Sequence, residues 1–156
     1  GWATPTEAAA LGALSVVRED IRYLYGKVTV YDDYPHDALV GLHSFLNHFF
    51  TDPDGWVLPR QEFALDLSQA DAFKETWNGL DYEKALALLH KKTHDWGTRV
   101  PPLFPAYMNL SSTMRYFGFA HNAAFGRVDE AGILVTIADI NPSKIERHIG
   151  SFTRVR

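Results

Sequence analysis

The chain has 156 residues, 46% hydrophobic and 22% charged, with a formal net charge of -4, a balance close to the globular average that argues against both a disordered chain and a membrane-spanning one. Its 15 lysines and arginines are scattered, so the concentrated basic footprint of a nucleic-acid binder is missing, and with no cysteine there is no disulfide, thiolate zinc site or cysteine nucleophile. A single domain over residues 1–156 is expected, burying roughly 70% of the surface its unfolded form exposes, in a reducing, cytoplasmic setting without a signal peptide or an apolar run of about 18 residues.

Residues 1–17, GWATPTEAAALGALSVV, offer a short Ala-rich helical turn and little that looks like the first element of a fold. In YLYGKVTVY (23–31), Tyr23, Tyr25, Lys27, Thr29 and Tyr31 alternate with Leu24, Gly26, Val28 and Val30, the period of two that predicts a strand. A helix follows over 35–50, with Pro35 in its first turn, where a missing N–H costs nothing. Ala38, Leu39, Leu42, Phe45, Leu46, Phe49 and Phe50 form its apolar stripe, with Asp37, His43, Ser44 and Asn47 on the other side. TDPDG (51–55) stops it. WVLPRQEFALDL reads as a short extended passage broken by Pro59, and QADAFKETW as a turn or two of helix. DYEKALALLHKKTHDWG (81–97) predicts a firmer helix, with Asp81 as N-cap and Gly97 just past its end.

Prolines 101, 102 and 105 are tolerable together if a helix begins near Pro101 or Pro102, because the first four N–H groups of a helix have no partner within it. Leu103, Phe104, Tyr107, Met108 and Leu110 then make an almost all-round apolar segment, which must be covered by the protein or must itself cover an apolar guest. TMRYFGFAH (113–121) and GILVTIADI (132–140) are rich in aromatic and β-branched residues and predict a long hairpin, with a turn glycine at 126. The second strand is apolar on both faces and belongs inside the sheet. A last helix starts with Asn141 as N-cap and Pro142 at its first position. The layout is α+β, with a helical insertion and a sheet of three strands, small for this length.

In this order, LGAL (11–14), YLYGKVTVYDDY (23–34), RVPPLFPAYMNLSSTMRYFG (99–118) and NAAFGRVDEAGILVTIADI (122–140) resemble the C-terminal half of a bacterial GNAT-like N-acyltransferase family. Its members are often labelled hemolysin-like, and it is related to enzymes that acylate ornithine or glycine to make amino-acid lipids. The resemblance covers about residues 11–150. It implies a mixed sheet in which two neighbouring parallel strands splay apart to admit the pantetheine arm of acyl-CoA or acyl carrier protein. Residues 23–31 then match the second splayed strand, 35–50 the helix after it, and 113–140 the closing hairpin. The first splayed strand and the glycine-rich pyrophosphate loop have no counterpart here, so a missing N-terminal half, or pairing with a second copy along the edge of residues 23–31, is expected.

The resemblance implies transfer of a fatty acyl group from a CoA or carrier-protein thioester to the amine of a small acceptor such as an amino acid. That chemistry asks for a base, stabilisation of the oxyanion and alignment of the reactants, with no metal and no covalent intermediate. Tyr31, His121 and Glu130 are the catalytic candidates on the relevant elements. Lys27, Thr29, Asn109 and Asn122 are candidate substrate contacts, and Leu103, Phe104, Tyr107 and Met108 a candidate acyl-tunnel wall. The plainer roles are a polar strand face for Lys27 and Tyr31, a solvated turn for Glu130, a sheet histidine for His121 and ordinary core for the apolar four. His90 and His94 have the i, i+4 spacing of zinc ligands, but Lys91 and Lys92 between them oppose a bound cation. A non-catalytic acyl-binding or interaction domain is the alternative reading. A peripheral contact with the inner membrane is compatible with a lipid product, whereas no amphipathic basic or spanning segment supports a hemolytic role.

Overall fold

The alternating pattern near residue 25 forms strand β1 (Tyr23–Val30) in a computed structural model that describes residues 21–60 and 73–144. Then come α1 (His36–Phe50), α2 (Tyr82–Asp95), α3 (Leu103–Met108), β2 (Arg115–Asn122) and β3 (Val128–Thr136). Residues 73–77 and 142–144 are also helical, and Ile137–Asp139 form a 3-10 turn. The architecture is α+β. The Ala-rich opening turn, LGAL, most of WVLPRQEFALDL, the first four residues of QADAFKETW and most of the last helix fall outside the described residues.

The three described strands are ordered β1-β3-β2, which puts the strand that is apolar on both faces in the middle, as expected. Lys27 of β1 meets Glu130 of β3, while Arg22 just before β1 accepts from Ile137 just after β3 at 2.9 Å. Numbers rise along β1 as they fall along β3, so the pair is antiparallel. The described sheet therefore has no parallel strand beside β1, and the splayed parallel pair implied by the family resemblance is not formed among these residues. The hairpin also differs from its predicted boundaries. Strand β3 starts at Val128 rather than 132, and 137–140 leave the sheet. The reason is local: Gly126 (φ 69) and Arg127 (φ 54) both take the left-handed backbone, which closes the connection within residues 123–127.

Gly118 (φ 93) sits in the middle of β2. Its left-handed backbone puts an extra residue into the strand, in the manner of a bulge. As a result Tyr116 and Phe119, three apart, lie together with ring centroids 5.9 Å apart, and both meet His43 of α1. In a regular strand, residues three apart would point to opposite faces.

The chain divides into two compact units, and β1 and β3 each contribute residues to both. One unit comprises Lys27–Pro101 and Arg115–Ile133. In it α1 packs on both α2 and β2, so its burial is wider than the predicted stripe. Ser44, expected on the polar side, is buried and accepts from Trp77 Nε1–H at 3.1 Å. Ala85 and Leu89 of α2 face this core, and Asp81 caps α2 by accepting from the Lys84 N–H at 2.9 Å, with Gly97 left-handed beyond its end as predicted. After α1, Asp52 accepts from the N–H groups of Asp54 and Trp56. Arg115 of β2 binds both aspartates and lies 4.0 Å from the Trp56 ring centroid. A one-residue parallel bridge joins Thr51 to Tyr116, so the outer edge of β2 is strapped.

The other unit contains α3 within Pro102–Met114, together with the described parts of 1–26 and 134–156. Pro102 is the N-cap of α3 and Asn109 its C-cap, so the prolines occupy the entry where no N–H is needed. Asn141 accepts from Ser143 N–H and donates its own N–H to Leu110 O at 2.9 Å. This bears out its predicted cap role and ties the end of the sheet to the exit of α3. Gly26 of β1 allows Tyr107 of α3 to approach closely: a Cβ there would lie 2.5 Å from the tyrosine hydroxyl.

Two substitutions test this packing. Gly26→Ala is expected to lower the urea-unfolding free energy by about 1–2 kcal/mol, the usual cost of overpacking, and adding Tyr107→Phe should return part of the loss. The Tyr82 hydroxyl is buried without a hydrogen-bond partner among the described residues, and its ring lies among Phe45, Phe49 and Phe50. Tyr82→Phe is expected to leave stability unchanged or to raise it by up to about 1 kcal/mol, since no bond is lost and a stranded polar group is removed.

Candidate active site

Near the hairpin end of the sheet, β3 carries two consecutive carboxylates, Asp129 and Glu130. Consecutive strand residues point to opposite faces, and each carboxylate has its own partners. The Lys27 ammonium of β1 lies 2.8 Å from both oxygens of Glu130, and Asn122 Nδ2 of β2 donates to Oε2 at 3.0 Å. Three strands thus meet in one polar cluster, in which the Glu130 side chain is 12% exposed and that of Lys27 52%. Burial raises the Glu130 pKa, but the hydrogen bonds from Lys27 and Asn122, joined by the lysine charge, outweigh it and hold the carboxyl below its ordinary range. Glu130 is therefore a committed acceptor and a weak base.

On the opposite face, His121 Nδ1 lies 3.0 Å from Asp129 Oδ1. His121 is two residues from Phe119 and so shares the face that meets α1. Of the residues singled out in the sequence, Lys27, Asn122 and Glu130 come together, while His121 joins Asp129, which the sequence reading passed over. The signal for it was the hairpin itself: 121 and 129 flank one short connection, so side chains on a shared face of β2 and β3 meet across it.

The other candidates lie elsewhere. Tyr31 is 41% exposed just after β1, where its carbonyl accepts from Tyr34 N–H in the turn that leads to α1. Thr29 is half-buried on β1. In the unit that holds α3, Phe104 and Met108 are buried core, whereas Leu103 and Tyr107, also four apart, are half-buried and Asn109 is exposed. Burial pushes the Tyr107 hydroxyl pKa up, so it stays protonated and can donate. The apolar helix thus has one stripe sealed and a second partly open. His90 and His94 are exposed on α2, and no group of three or more metal-ligating side chains occurs among the described residues. No helix among the described residues is long and apolar enough to cross a membrane.

A further titratable pair lies where α1 crosses β2. His43 Nδ1 is 2.8 Å from the Tyr116 hydroxyl. Tyr116 is fully buried and its pKa is driven well up by that burial, so its hydroxyl is neutral. Burial first, and the charge of Lys74 second, push the His43 pKa down to about 4. The sequence reading set His43 among the polar side chains of α1; the contact with β2 decides otherwise.

Two curated proteins named glycine N(alpha)-acyltransferase are similar to this chain. That of Phocaeicola vulgatus is 36% identical over 152 residues, and that of Bacteroides thetaiotaomicron is 38% identical over 150. The matches cover 92% and 91% of this chain but 44% and 42% of the relatives, so the chain spans less than half the length of the curated relatives it matches. No protein-family model matches, and no solved structure does.

The His43 pair makes stability depend on pH. Between its unfolded value of 6.5 and about 4, the unfolded chain binds a proton that the folded chain refuses, so stability falls as pH drops through that window. The expected loss is on the order of 2 to 3 kcal/mol. Urea midpoints at pH 7 and pH 4.5 should diverge less in His43→Gln, which keeps a hydrogen-bonding group but does not titrate.

Proposed function

We propose that this chain is the acyl-transferring portion of an N-acyltransferase that moves a fatty acyl group from a CoA or acyl-carrier-protein thioester to the amine of a small amino acid, glycine being the first acceptor to test. The observation that carries the proposal is the similarity of 91–92% of the chain to two proteins named for that activity. The geometry agrees in kind: an imidazole at a strand end, paired with a carboxylate, can serve proton transfer, and the unit that holds α3 separately carries a half-open apolar helix surface.

On this reading the fold is the C-terminal part of a GNAT-like sheet, and β1 is the second of the two splayed strands. It has no neighbour on its outer side among the described strands, which suits a cleft for the thioester arm. His121 takes the proton. The partners are the thioester donor and the amino acid, in the cytoplasm or at the inner face of the membrane.

The test is thiol release from a long-chain acyl-CoA and from the acyl-carrier-protein thioester, using protein expressed from its complete reading frame, with and without glycine. Thiol release that requires glycine, together with N-acylglycine in the mass spectrum, is expected. Tight co-purifying lipid with no amine-dependent turnover would replace this reading with an acyl-binding one.

A further inference from the structure

We infer that Asp129 is a positioning residue for the transfer step: its carboxylate holds the His121 ring in the neutral tautomer whose Nε2 can accept a proton from the acceptor amine. The inference rests on the acyl-transfer reading above. An ionised carboxylate has no proton to give, so a contact of 3.0 Å between Asp129 Oδ1 and His121 Nδ1 requires the hydrogen to be on Nδ1. In the neutral ring Nε2 is then the lone-pair nitrogen.

The pair is unequally exposed. The Asp129 side chain is 13% exposed and that of His121 40%, so the carboxylate sits inside and the imidazole reaches outward. Its register is held from the other face as well, where Asn122 and Glu130, the next residue on each strand, are hydrogen-bonded at 3.0 Å. Glu130 cannot share the role, because its oxygens already accept from Lys27 and Asn122.

In the step, the amine lone pair attacks the thioester carbonyl carbon and a C–N bond forms while the carbonyl electron pair moves onto oxygen. His121 Nε2 takes one N–H proton. The C–S bond breaks as the C=O re-forms, and the imidazolium returns the proton to the leaving thiolate. The products are an amide and a free thiol, with no net change in protons. During the interval in which the ring is charged, the Asp129 carboxylate stabilises it.

The experiment uses the full-length protein with acyl-CoA and glycine, comparing wild type with Asp129→Asn and Asp129→Glu. The asparagine can turn its NH2 toward the ring and so favour the Nε2–H tautomer. The expected result is a fall in kcat of about 10- to 100-fold, within the usual span for acid-base groups, with KM for acyl-CoA changing less than about twofold and part of kcat restored by glutamate. Long-range 1H–15N spectra should show His121 as Nδ1–H in the wild type and shifted toward Nε2–H in Asp129→Asn, with thermal unfolding checking that the variant is folded. An active enzyme whose kcat is indifferent to Asp129→Asn, or a wild-type ring in the Nε2–H form, overturns the inference alone. A wild type that releases no thiol with any amine overturns the acyl-transfer reading, and the catalytic role of the pair goes with it.

Discussion

Two carboxylates side by side on the central strand organise the polar chemistry of this protein. The pleat sends Asp129 and Glu130 to opposite faces, and the hairpin register presents a different β2 side chain to each. Glu130 is enclosed by a lysine and an amide and becomes an ionised anchor. Asp129 meets an imidazole and orders its tautomer. Neither could do the work of the other, because the difference lies in the neighbours and not in the acid groups.

The alternation of β2 is broken by a single glycine, Gly118. Without the left-handed residue at 118, strict alternation would separate Tyr116 from Phe119, and α1 would find only one of the two aromatic rings that now flank His43. Helix α1 is covered on two sides and so buries residues beyond a simple stripe, including the Ser44 hydroxyl, which remains satisfied because Trp77 supplies the indole N–H. A buried polar group without such a donor would cost roughly 1–3 kcal/mol.

The prolines ahead of α3 serve a different purpose. They stiffen the entry of a helix of six residues, which is too short to be stable by its own hydrogen bonds. Its stability has to come from packing. Phe104 and Met108 supply it by burial, while Tyr107 lies close against the one position of β1 that has no side chain. Leu103 and Tyr107 are left half-buried, so the segment is partly core and partly surface.

Local chemistry was legible in the sequence: the strand of alternating tyrosines, the Asp81 and Asn141 caps, the proline-led helix and the inner place of the strand that is apolar on both faces. Each depends on neighbours within about four residues, or on a period that a single segment expresses. Lys27, Asn122 and Glu130 could be named as polar groups on the right elements, but their meeting could not, since it joins residues 103 apart. Which face His121 takes, that Asp129 is its partner, and that His43 is driven neutral were settled only by tertiary structure. Strand register, a glycine bulge and desolvation between packed elements are set by long-range contacts, and no periodicity in the chain encodes them.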